Sequence, residues 1–424
     1  MNILVIGSGG REHAICETFA RSPKATKIYC ADGNAGIANS AECVAIRPDD
    51  IIALADFAAQ NAIDLTFVGG ETPLALGIVD EFTTRRLRIV GPTREAAQLE
   101  SSKSFAKDFM ARHGIPTANY VTAHTPGFAV DELESGDFGG ADEPVVIKAD
   151  GLAAGKGVIV AKNRAEAVAA IKDLENLVGA DAAEKIILEE CLTGKEVSLL
   201  LFVDGENFAL MPPTRDHKRI GEGDTGPNTG GMGTITDTSL LTNEQLAEIT
   251  EKIIRPTLHS CIREGFPYRG ILFLGLMMTD DGAKLLEYNV RFGDPEAQAI
   301  LVRLDTDLVD ICEAILASKL GGGTINWHPG SSGCVVLASA GYPGKVRTGD
   351  IINGLDKTGQ MERARVFHSG TARDPGGNFT TAGGRVLGVT VVGNDLAATL
   401  IQAYAAVEKI SFDGMQYRRD IGRS

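Results

Sequence analysis

Four segments of the 424-residue chain carry residue types whose spacing could manage a polyphosphate, a metal ion and a carboxylic acid. The first is Glu287-Tyr288-Asn289-Val290-Arg291-Phe292-Gly293-Asp294-Pro295-Glu296. Side chains two apart share one face of a strand, so Glu287, Asn289 and Arg291 would line up about 7 Å apart. That face offers two oxygen ligands and a cation. Oxygen-only donors suit Mg²⁺ or Mn²⁺, which complete their shells with water and substrate phosphates. A Glu–Arg pair on a half-exposed strand would be written the same way; the Gly293-Asp294-Pro295 turn directly afterwards argues against it.

The second segment, Lys148-Ala149-Asp150-Gly151-Leu152-Ala153-Ala154-Gly155-Lys156-Gly157-Val158, puts one lysine at a strand end and another in a loop of small residues. Small residues let backbone amides approach phosphate oxygens, and two ammonium groups balance polyphosphate charge. A Gly-rich hairpin with solvated lysines is the alternative. The P-loop pattern is absent. The third segment is Gly7-Ser8-Gly9-Gly10-Arg11-Glu12-His13, a glycine turn feeding a helix N-terminus, where backbone N–H groups and the helix dipole favour phosphate. Glu12 stands where the dinucleotide fingerprint needs its third glycine, which argues against NAD. In the fourth, Asp216-His217-Lys218-Arg219 precedes the nearly apolar-free 223–233 stretch, and loops of that length inside a domain usually bind something. Its basic cluster could hold anionic substrate groups or be a solvated turn. Neither a Ser-His-Asp arrangement nor a His/Cys zinc set stands out, and His13 and His217 are not assigned as bases.

These segments need elements to hold them. Apolar runs at 3–6, 27–30, 64–68 and 87–90 read as strands, with helices at 11–20, 50–60 and 74–82 between them. That alternation predicts a parallel, Rossmann-like sheet covered on both faces. A helix at 94–113, stopped by Gly114 and Pro116, would bridge to the next block. Residues 120–192 hold strands at 144–148, 158–161 and 185–190 and a helix from 165, small enough to move as a lid. Strands at 197–204, 271–279 and 284–291, with turns at Asp204-Gly205 and Asp280-Asp281-Gly282, read as antiparallel sheet. Beyond the flexible Gly321-Gly322-Gly323, β-rich segments at 334–339, 363–368 and 387–392 precede a helix at 395–409.

Fifty-six acidic against 41 basic side chains give a net charge of −15, a field that repels nucleic acid and anionic membranes. Seven scattered cysteines without a C-x-x-C pair read as buried reduced thiols. Neither a secretory signal nor an apolar run of membrane-crossing length is visible, so a cytoplasmic protein is expected.

Taken together, these strings resemble the glycinamide ribonucleotide synthetase family of the ATP-grasp superfamily, nearly end to end. Asn34-Ala35-Gly36 and Gly91-Pro92-Thr93 add to the match, and residues 226–233 and 291–296 are its most specific parts. The resemblance implies an α/β and α+β multidomain protein. It would have a Rossmann-like N-terminal parallel sheet (1–102), a central ATP-grasp domain (103–122 and 193–323), a small mobile lid (123–192) and a β-rich C-terminal domain (324–424). It implies joining of glycine to 5-phosphoribosylamine through glycyl phosphate, with ATP cleaved to ADP and phosphate, in purine synthesis. Lys103 and Lys148 would contact ATP phosphates under the Ala154, Gly155, Lys156 and Gly157 loop, while Glu189, Leu192 and Glu196 hold adenosine. Glu287 and Asn289 would carry Mg²⁺ or Mn²⁺, and Arg291 would lie near the transferred phosphoryl group, with Lys148 the second catalytic residue. Gly9, Gly10, Gly70 and Glu71 would face phosphoribosylamine, glycine would lie near Asp216 and the 224–231 loop, and Lys218 and Arg291 would also bind substrate. A monomer or weak homo-oligomer is expected. The chain departs from the family's usual pattern at Gly69-Gly70-Glu71-Thr72 and Pro213-Thr214-Arg215. An NAD-dependent oxidoreductase and a non-enzymatic nucleotide sensor are the rival classes; the sensor has no evident need of the 287–291 strand.

Overall fold

The computed structural model describes residues 1–136, 138, 140–151, 157–179, 183–358, 361 and 363–423. Asn2–Gly7, Lys27–Asp32, Glu42–Val44, Leu65–Val68 and Ile89–Val90 form a parallel sheet, with Asn2–Gly7 central between Lys27–Asp32 and Leu65–Val68. Parallel neighbours require crossovers, and Gly10–Ala20 and Ile51–Gln60 supply two of them. This is the Rossmann-like opening that the apolar runs predict.

Two expected helices are broken. The 74–82 stretch is split into Glu71–Leu76 and Ile78–Thr84, because Gly77 adopts φ +89°. The 94–113 stretch contains Gln98–Ser101 and Lys103–Arg112, separated by Ser102 in extended conformation. Ser102 accepts a hydrogen bond from the Phe105 amide at 3.2 Å and so caps the second helix. Its hydroxyl also lies 3.3 Å from both carboxylate oxygens of Asp150. The cap therefore starts a helix at Lys103 beside the glycine loop.

Lys195–Asp204 and Arg269–Thr279 pair antiparallel from Lys195 opposite Met278 to Asp204 opposite Arg269, and Gly282–Asn289 returns along the latter. A bulge lies between Gly275 and Leu276: Leu276 faces Leu285, but Gly275 faces Glu287. Ala283 and Leu285 point into the core before it, and Tyr288 and Val290 after it. Uninterrupted alternation would have put Glu287 on the apolar side with Leu285; the bulge turns Glu287 and Asn289 away from it.

The same sheet continues through Thr214–Asp216 and Gly233–Thr236 to Ser331–Ala338, Arg385–Gly393 and Ala364–His368. It thus runs across the expected 323/324 boundary. A separate four-stranded sheet joins Tyr120–Ala123, Ile186–Glu190, Val145–Ala149 and Val158–Ala161, all antiparallel. That smaller unit has its own apolar core, including Leu133, Ile147, Ile171 and Leu188. The opening and central sheets share theirs: Phe292 stacks on Phe67 at 6.1 Å and meets Phe202 edge-on at 6.2 Å. Five cysteines are buried as expected, but Cys43 and Cys191 are only partly covered. No helix among the described residues is long and apolar enough to cross a membrane.

Phe292→Ala should lower stability by about 3–5 kcal/mol, read as a fall in the urea midpoint; an unchanged midpoint would mean the two sheets do not depend on that contact. A second prediction concerns His368, where the C-terminal part meets the opening domain and whose backbone N–H donates to His13 Nδ1 at 2.8 Å. Burial, then His13 and Arg373, push its pKa down to about 3 from 6.5. The unfolded chain takes up a proton there that the folded chain refuses. Stability from this residue is complete above pH 6.5 and is lost as pH falls toward 3. His368→Asn should therefore flatten the acid limb of stability against pH, and an identical limb would refute the assignment.

Candidate active site

Lys148 is the last residue but one of the lid strand Val145–Ala149, and Glu189 is on the neighbouring strand Ile186–Glu190. Their side chains meet at 2.8 Å, and the other Glu189 oxygen lies 2.9 Å from Lys107 Nζ. All three are nearly inaccessible, at 6%, 1% and 2% exposure. One carboxylate thus serves two buried ammonium groups, leaving excess positive charge. Burial first pushes Lys107 down to about 8, with Glu189 opposing and Lys148 adding to the shift. Lys107 also donates to Thr117 Oγ1 at 2.8 Å. Lys103, one turn earlier on the same helix, donates to the Gly151 carbonyl at 2.8 Å.

These lysines line a cleft of about 910 Å³ between the lid and the central sheet, whose opposite wall includes Glu287 and Asn289. Lys148 bridges the two by donating to the Leu286 carbonyl at 3.3 Å. Burial disfavours the Glu287 carboxylate, but Lys218, Lys148, Lys103 and Arg291 around it hold its pKa below the ordinary value. Glu287 is therefore anionic, and no described residue forms an ion pair with it within 4.0 Å. Among the described residues no group of three His, Cys, Asp or Glu side chains could hold a metal ion. Two oxygens, one charged and one amide, fit a hard divalent cation that takes its other ligands from water and phosphate.

Arg291 is bound more tightly than its spacing suggests. Its guanidinium donates to Glu100 Oε1 at 2.6 Å, the Phe292 carbonyl at 3.1 Å, Glu71 Oε2 at 3.2 Å and Asn289 Oδ1 at 3.3 Å. Glu100 also accepts from the Val290 amide at 2.8 Å, which fixes the chain just after the strand Gly282–Asn289. Glu71 and Arg291 are on the cleft wall, with Arg11 and Asp294 next to them.

The first glycine turn is filled by its own helix. Glu12 accepts from the Gly9 amide and from Arg11 Nε, both at 2.6 Å. A Cβ on Gly69 would stand 2.1 Å from Glu12 Oε1, so the glycines around this turn make room for that carboxylate. Gly9, Gly10 and Gly70, expected against phosphoribosylamine, are absent from the cleft lining. Gly10 is a packing glycine, since a Cβ there would lie 2.5 Å from Gln298 and 2.7 Å from Ser369. Gly9 and Gly70 border the Arg11–Asp294 region, their would-be Cβ atoms 3.1 Å from Asp294 Oδ2 and 3.2 Å from Arg11 Nη2.

Asp216 and Lys218 reach the cleft, and Lys218 pairs with Glu196 at 3.0 Å. Burial opposes the Lys218 charge, yet Glu196, Glu287 and Asp216 raise its pKa. Asp216 Oδ1 is buried without a hydrogen-bond partner, and burial, with Glu296 close by, raises its pKa. His217 lines the cleft with Lys218 and Arg219. Its ring is buried, accepts from the Gly422 amide at Nε2 and faces the Gly233 carbonyl at 3.3 Å through Nδ1. Burial and Arg418 lower its pKa, so it is neutral. From beyond the central domain, Arg385 donates to the carbonyls of Gly230 and Asp294.

Lys103, Lys148, Gly157, Glu189, Leu192, Glu196, Glu71, Asp216, Lys218, Glu287, Asn289 and Arg291 are thus brought together around one space. Ala154, Gly155 and Lys156 lie outside the described residues. Glu189 lines the cleft with both its oxygens engaged by lysines. Lys107, Glu100 and Arg385 line the same space without any motif naming them, while Arg11 and Glu296 reach it from motifs that gave them no role. Lys107 had one usable signal, its place four residues after Lys103; Arg385 had none. Glu189→Gln leaves two buried ammonium groups without their counter-charge and should cost about 3–5 kcal/mol in urea unfolding. A stability equal to wild type would show that the lysines are held by other means.

Against known proteins, residues 1–100 match the phosphoribosylglycinamide synthetase N domain, 101–297 its ATP-grasp (A) domain and 332–424 its C domain. The chain is 47% identical to a phosphoribosylamine-glycine ligase of Pseudomonas aeruginosa over 429 residues, spanning all of this chain and 97% of that protein. It is 46% identical to the trifunctional purine biosynthetic protein adenosine-3 of Gallus gallus, covering 99% of this chain and 42% of that longer one. The crystal structure of a Thermotoga maritima phosphoribosylamine-glycine ligase superposes with a TM-score of 0.83 at 32% identity over the full length of both chains. A cleft of opposed lysines and oxygen ligands, set in these three consecutive domains, makes the chain a member of the phosphoribosylglycinamide synthetase family.

Proposed function

We propose that the protein joins glycine to 5-phosphoribosylamine with cleavage of ATP to ADP and phosphate, through glycyl phosphate, in purine biosynthesis. The observation that carries this reading is the opposition of Lys148 and Glu287 across one cleft. A carboxylate cannot expel oxide, so amide formation needs a better leaving group. Transfer of the terminal phosphoryl group supplies one: a glycine oxygen bonds to phosphorus as the bond to ADP breaks. The phosphoribosylamine nitrogen then attacks the acyl carbon, phosphate departs, and the amine loses a proton.

The chain's own groups fit these steps. Lys103, Lys107 and Lys148 form a cationic wall for the phosphates, and the buried surplus charge beside Glu189 favours an arriving polyanion. Leu192 and Glu196 lie where the nucleoside end would rest, and Arg291, held by Glu71 and Glu100, offsets charge on the transferred group. Mg²⁺ or Mn²⁺, bound by Glu287 and Asn289, would supply charge neutralisation of the terminal phosphates. Glycine lies toward Asp216 and Lys218, and phosphoribosylamine approaches from Glu71 and the edge of the Gly9 and Gly70 turns. The lid sheet, with a core of its own, closes over the acyl phosphate and keeps water from it.

Phosphate release should require ATP, a divalent cation, glycine and phosphoribosylamine together. Glu287→Gln should lower it by about a hundredfold or more with the circular dichroism spectrum unchanged. Full turnover in that variant would remove Glu287 from the metal site, and release independent of glycine would defeat the ligase reading.

A further inference from the structure

One wall of the cleft is a hairpin that belongs to no larger sheet among the described residues. Arg219–Gly221 pairs with Thr225–Asn228, and the two form a sheet of their own. The hairpin nevertheless brings Arg219, Asp224 and Asn228 to the cleft. Gly221, Gly223 and Gly226 fall within or beside it, and such backbone has many conformations to lose.

What holds it is the segment 418–422. Arg418 is 1% exposed, and its guanidinium is fully engaged: Nε and Nη2 donate to the two oxygens of Asp420 at 2.8 and 2.7 Å. Nη1 reaches across to Asp224 Oδ1 at 2.6 Å and to the Arg219 carbonyl at 3.2 Å. Asp420 Oδ2 accepts in addition from the Gly223 amide at 2.8 Å, and the Arg419 amide donates to Glu222 Oε1 at 3.2 Å. The segment is itself fastened to the helix Leu396–Val407. Tyr404 donates its hydroxyl to the Arg418 carbonyl and accepts from the Ile421 amide, both at 3.0 Å. Neither Arg418 nor Asp420 lines the cleft.

We propose that Arg418, oriented by Asp420, is a positioning residue that braces this hairpin against the glycine end of the site. The inference rests on the ligase reading for its substrate, while the brace itself rests on the bonds above. A planar fork is required: two parallel bonds go to Asp420 while the remaining nitrogen ties the first strand of the hairpin to its turn, at Arg219 and Asp224, which a lysine ammonium cannot do. Without the brace the hairpin opens locally and the loss falls on binding rather than on the global fold.

The test compares wild type with Arg418→Ala, Arg418→Lys and Asp420→Asn, the last keeping shape in case the buried arginine cannot be removed without unfolding. Glycine-dependent phosphate release and amide hydrogen exchange over 219–228 are both measured. All three variants should raise KM for glycine by about tenfold or more while kcat stays within about twofold, and should speed exchange in the hairpin. Lysine should fail to rescue. Unchanged KM and exchange in a folded variant would overturn the proposal, as would a fall in kcat and thermal midpoint with KM unaltered. If wild type itself releases no phosphate with glycine, the ligase reading fails, and hairpin exchange still decides the brace.

Discussion

Two buried ammonium groups sharing one carboxylate set the terms for the rest of this molecule. Lys107 comes from the helix Lys103–Arg112, while Lys148 and Glu189 come from the lid, so the triad fastens the lid to the body. Breaking such a contact would strand charge in a poorly solvated place, so the lid stays docked at this corner. The same triad is one positive charge in excess. Across the cleft the Glu287 carboxylate is held anionic by Lys218, Lys148, Lys103 and Arg291, so both walls carry charge toward one space.

Rigidity is distributed to match. The opening and central sheets share apolar cores through Phe67, Phe202 and Phe292, whereas the lid packs about its own. The lid's apolar packing is thus independent of the body's, and polar contacts such as Lys107–Glu189 and Lys148–Leu286 join the two. The oxygen-ligand strand belongs to the shared part, and Arg291 is held there by Glu71 of the first domain and Glu100 of the short helix Gln98–Ser101. Three regions of the chain therefore meet at one guanidinium.

The C-terminal part is structurally continuous with the site. Its strand Ser331–Ala338 pairs with Gly233–Thr236, and Arg385 holds the carbonyls of Gly230 and Asp294. Tyr342 accepts from the Gly230 amide at 3.0 Å. The glycine-rich wall is thus shaped from outside the central domain, by groups some hundred residues or more further along the chain.

The sequence by itself determined the element types and the chemistry of the cleft. Short apolar runs alternating with helical segments point to the parallel opening sheet, and Lys148, Glu287, Asn289 and Arg291 carry charge and oxygen that no core would accept unpaired. Even the bulge left a trace, since the apolar positions change parity between Leu285 and Tyr288. Tertiary structure alone decided the partners. Glu189 holds lysines because the lid folds onto Lys107, Glu12 fills its own glycine turn, and the His217 ring accepts from the Gly422 amide. Local pattern reports which groups must find a counter-charge or a hydrogen bond. Which one they find depends on chain segments far apart in sequence, and only packing brings those together.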